Sequence, residues 1–158
     1  MKKNITIETA VIASTLLSGN QSLSAAKLSR LEGTEKFAVV RAATALRPIR
    51  EGYLSAEQTA QESLRPDNWN ELLAQTEKWD SLTADEKAAH NAAAAKYNAE
   101  VGKYLAEERA KTAEVEITPL DEAALGRFLD SNPDWDVEQA SLMLELFTDT
   151  DTNQKTEE

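Results

Sequence analysis

The chain has one histidine, His90, so any acid–base chemistry resting on imidazole must rest there. Asn91 follows it, and Glu86 lies one helical turn before it. A histidine beside a carboxylate can serve as a general base or a metal ligand. A nucleophilic relay would also need a hydroxyl or thiol and an orienting acid. The chain has no cysteine, and no serine and aspartate stand at spacings that select them as partners for His90. His90 therefore reads as a packed or surface residue. A second candidate is "DTDTNQK", where Asp149, Asp151 and Asn153 alternate like the first ligands of a calcium loop. Gln154 replaces the turn glycine, and the bidentate Glu position falls past residue 158. No cation site is expected from it. Without cysteine there are also no thiolate metal sites or disulfides. No Gly-rich phosphate loop is present, and the other carboxylates recur at solvent-face spacings that select no catalytic pair. The reading is of a protein without enzymatic activity, cofactor or metal.

Charge and aromatic surface remain. The net charge of −11 argues against general affinity for nucleic acid phosphates or anionic membranes. The charge is uneven, because Lys27, Arg30, Lys36, Arg41, Arg47 and Arg50 face only Glu32 and Glu35 within residues 27–50. Such a run is either a solvated or internally paired face, or a contact surface for a partner. Arg30, Arg41 and Arg47, with Trp135 as an aromatic in a turn, are the candidate interface residues. For Trp135 the plainer alternative is packing onto its own helix pair.

These residues must be positioned by a chain that is mostly helical by composition, with five Gly and four Pro among 158 residues. That length fits one domain. Residues 1–147 are expected to form it, with 148–158 as a disordered acidic tail. "NITIE" (4–8) alternates like a short strand, and Thr9 is expected to cap the helix after it, which stops at Gly19-Asn20. A long basic helix is expected over about 22–47. Leu28, Leu31, Ala38, Val39, Ala42, Ala45, Leu46 and Ile49 fall on its apolar face, whereas Phe37 and Val40 fall outside it and are free to meet a second partner. Pro48 should kink or end this helix, and because Tyr53 continues the same face a kink is favoured, with weaker helix to about Leu64. Trp69, Leu72, Leu73, Thr76 and Trp79 predict an amphipathic helix. Thr83 and Glu86 form a capping-box pattern for another helix running to about Ala110. "EVEIT" (114–118) is the second strand signal, and Thr118-Pro119 should start the next helix. Asp136 and Gln139 make a cap pair for the last helix, with Val137, Ala140, Leu144 and Phe147 along one side.

The two strand signals share length and alternation, so 4–8 is expected to pair with 114–118. Ile5, Ile7, Val115 and Ile117 would turn toward covering helices, since a bare two-stranded sheet is marginal. The fold class is mostly α, in α+β form, with about five to six bundled helices and this small sheet. The start resembles a signal peptide only loosely, because Glu8 interrupts the apolar run. No stretch reaches the ~20 apolar residues of a membrane span.

Two resemblances follow from longer strings. "NWNELLAQTEKWDSLTADEKAAHNAAAAKYNAEVGKYL" resembles the second half of a high-mobility-group box over 68–105, through Trp79, Leu82, Glu86-Lys87, Ala94 and the run Tyr97, Glu100, Val101, Tyr104, Leu105. That resemblance implies DNA bending in the minor groove. Acidic side chains nevertheless outnumber basic ones across 67–110, so nucleic acid is not the expected partner. Most of the chain is similar to a family of small uncharacterised bacteriophage proteins encoded among tail and other late genes. The similarity runs through "ITIE" before "LLSGN", the basic "AAKLSRLEGTEKFAVVRAATAL", and "YNAEVGKYLAEE" leading into "VEITPLDEAALGRFL" before a short helix and an acidic end. It implies a non-enzymatic accessory or assembly role through protein contacts, in the host cytoplasm or the virion. The partner would be a phage or host protein or a second copy of the chain. The alternative reading is an acidic inhibitor that mimics nucleic acid toward a host defence protein.

Overall fold

The computed structural model describes residues 1–149. Its element order is β1 (Lys2–Thr6), α1 (Ile7–Ser18), α2 (Gly33–Ser63), α3 (Trp69–Glu77), a 3-10 turn (Trp79–Ser81), α4 (Ala84–Ala110), β2 (Thr112–Glu116), α5 (Glu122–Ser131) and α6 (Val137–Phe147). The fold is mostly α with a small two-stranded antiparallel sheet, as the sequence predicts. The expected acidic tail lies outside the described residues except for Thr148 and Asp149, and so does the calcium-like run beyond Asp149.

β1 and β2 pair antiparallel, with Lys2 opposite Glu116, Asn4 opposite Glu114 and Thr6 opposite Thr112. Both strands lie two residues earlier than the expected 4–8 and 114–118. Thr6 explains the shift, because its hydroxyl accepts the Thr9 N–H at 3.1 Å and so acts as N-cap in place of Thr9. Ile7 thereby becomes the first residue of α1. The pairing continues one step past β2, where Ile117 N–H donates to the Met1 carbonyl at 2.8 Å. Val115 and Ile117 are buried, and Ile5 packs against the same core. Lys3 shares that covered face. Its ammonium reaches the Glu145 carbonyl of α6, so the stem covers apolar surface while the charge finds a partner.

Two compact units result: Met1–Gly52 with the residues from Ala110 on, and Tyr53–Arg109. The first holds the main core. Ala10, Ala13, Leu16 and Leu17 of α1 join Ala38, Val39, Ala42 and Leu46 of α2, Leu125 and Phe128 of α5, and Met143, Leu146 and Phe147 of α6. Phe128 lies at its centre, edge-on to Phe147 at 6.0 Å and to Trp135 at 5.1 Å. Such edge-to-face pairs add about 0.5–1.5 kcal/mol each beyond burial.

Residues 20–32 are not helical, which corrects the expected helix start near residue 22. Gly19 ends α1 with φ +73, and a Cβ there would meet Ala25 N and Leu23 O at 2.6 Å, so only glycine fits. Asn20 Oδ1 then accepts the N–H groups of Ser22 at 2.8 Å and Leu23 at 2.7 Å, an Asx-type turn that competes with helix. Lys27 and Asn132 exchange two hydrogen bonds, and Arg30 N–H donates to Ser131 Oγ at 3.0 Å. α2 starts only at Gly33. Glu35, three residues into the cap, accepts the Glu32 N–H at 2.9 Å and also pairs with Arg127 of α5.

Pro48 does not end α2, which runs on to Ser63. Pro48 offers no N–H to the Thr44 carbonyl, and both residues are exposed. The start of α5 also differs from expectation. Asp121, whose Oδ1 accepts the Ala124 N–H at 2.7 Å, is the cap, not Thr118. Leu120 is instead held in the connector by its N–H bond to the Phe147 carbonyl at 3.0 Å. The Asp136–Gln139 and Thr83–Glu86 boxes both form as the sequence predicts.

The second unit contains the end of α2, α3 and nearly all of α4. Ala60, Leu72, Val101 and Leu105 are its buried apolar residues. Trp69 and Tyr97 pack at 5.0 Å, with the Arg65 guanidinium 5.0 Å from the Trp69 ring, and Tyr97 Oη donates to the Gln61 carbonyl at 2.5 Å. α3 ends at Glu77, so Trp79 sits in the 3-10 turn and not on the helix predicted to carry both tryptophans.

Candidate interaction surface

Within the first unit, α2 has two opposed faces. At about 100° per residue, Ala38, Ala42 and Leu46 follow one line into the core, and all three are at most 1 % exposed. The small alanines let α2 lie close to its neighbours, which fixes which side turns inward. On the opposite side, Phe37, Val40, Arg41, Thr44 and Arg47 follow the i, i+3, i+4, i+7, i+10 pattern of a single stripe. Phe37 is 63 % exposed and Val40 50 % exposed. A helix that packs one face normally leaves the other charged and polar, so a solvent-facing Phe-Val pair flanked by arginines is a surface built differently from the rest of α2.

The predicted site residues divide. Arg41 and Arg47 lie on this stripe and are exposed. Among the described residues, no carboxylate lies within ion-pair distance of either. Arg30 is exposed too but belongs to the segment before α2, where its backbone serves Ser131. The structure therefore does not place the three arginines on one helix. Trp135 is half-buried, packed edge-on against Phe128. It lines a hollow of ≈ 300 Å³ with Ser22, Lys27, Asn132 and Gln139. His90 is likewise packed. Its Nδ1 lies 3.1 Å from Gln75 Oε1 and its ring meets Trp79 edge-on at 5.1 Å.

α6 supplies a second exposed stripe that the periodicity misplaced. Val137 and Leu144 are 80 % and 50 % exposed, whereas Met143, Leu146 and Phe147 form the buried line. Of the expected line Val137, Ala140, Leu144 and Phe147, Phe147 is buried and Ala140 half-buried, while Val137 and Leu144 are exposed. The buried side runs instead through Met143, Leu146 and Phe147, with Leu142 packed against the same core. Glu138 and Glu145 are exposed immediately after Val137 and Leu144.

Among the described residues, no group of three or more His, Asp or Glu side chains is placed to hold a metal ion. No helix among them is long and apolar enough to cross a membrane. No protein-family model, no curated protein and no solved structure matches the chain.

Proposed function

We propose that this chain is a non-enzymatic bacteriophage accessory or assembly protein that works by protein–protein contact through the outward stripe of α2. The observation that carries the contact surface is the exposure of Phe37 (63 %) directly opposite the buried line of α2, beside two arginines with no ion partner among the described residues. Aromatic and arginine side chains supply most of the energy in protein interfaces, through large rigid contact area and forked hydrogen bonding. The sequence resemblance to phage late-gene proteins supports the biological setting.

A photoreactive phenylalanine derivative at position 37 tests this in phage-infected host cells. Irradiation should give a discrete protein adduct that is lost when Arg41→Glu and Arg47→Glu are added. The same derivative at position 104, exposed on the other unit, should give none. Absence of any protein adduct at position 37 would overturn the reading.

A further inference from the structure

The stripe on α2 and the stripe on α6 are complementary. The first carries Phe37 and Val40 with Arg41 and Arg47, and the second carries Val137 and Leu144 with Glu138 and Glu145. All eight side chains are exposed and belong to the same compact unit. At a helical rise of 1.5 Å, Arg41 and Arg47 are about 9 Å apart along α2, and Glu138 and Glu145 about 10.5 Å apart along α6. The carboxylates follow one edge of α6, while the arginines flank the apolar pair on α2 from opposite edges. A crossing of the two helices, as in ordinary ridge-into-groove packing, brings both arginines over the carboxylate edge while the apolar pairs meet.

From this match we infer that the occupant of the α2 stripe is the α6 stripe of a second copy of the chain. The inference rests on the proposal that the α2 stripe is a contact surface. Charge decides the pairing. Packing α2 on a second α2 sets arginine against arginine, and α6 on α6 sets glutamate against glutamate. Only the unlike pairing joins opposite charges around an apolar centre. In each such contact one copy uses its α2 stripe and the other its α6 stripe, so a pair joined by one contact keeps one free patch of each kind. Two copies close both contacts when a two-fold axis relates them, and otherwise the contacts propagate into rings or open chains. Each patch is small, so a single contact is weak and assembly depends on concentration.

Sedimentation velocity on the full chain from about 10 µM to about 1 mM tests this. The wild type should form dimers or larger species as concentration rises, and less so at high salt. Two charge-reversed chains are then compared: Arg41→Glu with Arg47→Glu, and Glu138→Arg with Glu145→Arg. Each alone presents two patches of like charge and should associate about tenfold or more weakly than wild type. Mixed, the two chains again offer opposite charges at every junction and should co-assemble. Circular dichroism checks that both fold, and Phe37→Ser and Val137→Ser replace them should either unfold. A wild type that stays monomeric, loss on only one of the two patches, or a mixture that does not co-assemble would overturn the inference. An adduct at position 37 to a different protein, with the wild type monomeric, would leave the α2 contact surface standing and remove only self-assembly.

Discussion

Lys27 and Asn132, 105 residues apart, exchange a matched pair of hydrogen bonds: Lys27 N–H donates to Asn132 Oδ1 at 2.7 Å, and Asn132 Nδ2 donates back to the Lys27 carbonyl at 2.8 Å. The same amide also donates to the Phe128 carbonyl at 3.0 Å. One buried side chain thus closes α5 and fixes the strap between α1 and α2. Asn132→Ala should cost about 2–3 kcal/mol, since buried backbone groups lose their partners. Asn132→Asp should cost at least as much, because a carboxylate presents only acceptors to two carbonyls. Urea unfolding midpoints of the three proteins measure both effects.

Glu35 joins a cap to a long-range ion pair, holding the Glu32 N–H with one oxygen and Arg127 with the other. Glu35→Ala removes both and should destabilise by about 1–2 kcal/mol, while Glu35→Gln should keep the cap and lose less. Chemical denaturation of the two variants separates these contributions.

Ile117 has no exposed surface and closes the sheet through its bond to Met1. Ile117→Ala should destabilise by about 2–5 kcal/mol, from lost transfer energy and the cavity left behind. A calorimetric melt would show it, and an unchanged midpoint would contradict the buried position.

Pro48 is tolerated in α2 at a cost. Pro48→Ala restores a backbone donor to the Thr44 carbonyl and a better helix former, and should raise stability by about 1–3 kcal/mol. The check is the unfolding midpoint together with hydrogen exchange in residues 44–52.

Phe37→Ser makes the opposite point. The side chain contributes to no core, so stability should stay within about 0.5 kcal/mol of wild type while contacts through the α2 stripe weaken. Thermal melts and sedimentation of the same sample read both.

Local chemistry in the sequence carried much of the fold. Alternation in "NITIE" and "EVEIT" announced both strands and their pairing, and two capping boxes marked the starts of α4 and α6. The caps at Thr6 and Asp121 are not legible in the sequence, because Thr9 and Thr118-Pro119 offer equally good local chemistry. Which hydroxyl or carboxylate finds an N–H depends on where the strand stops pairing. The candidate site was half legible. Phe37 and Val40 stood off the apolar face of α2 in the sequence, and Arg41 and Arg47 beside them were named. The apolar stripe of α6 was not legible, since the pattern on that helix groups exposed Val137 and Leu144 with buried Phe147.

The sequence by itself determined the helical class, the two strands, the acidic balance and the absence of thiol chemistry, because each follows from composition or from interactions within a few residues. Tertiary structure alone decided three things: that 20–32 is a strap and not a helix, that Trp135 packs on Phe128, and that α6 turns Val137 and Leu144 outward. The reason is the same in each case. A segment with two nearly equal local options is settled by what it packs against, here Asn132 for the strap, Phe128 for Trp135 and the core around Phe147 for α6, which no local pattern records.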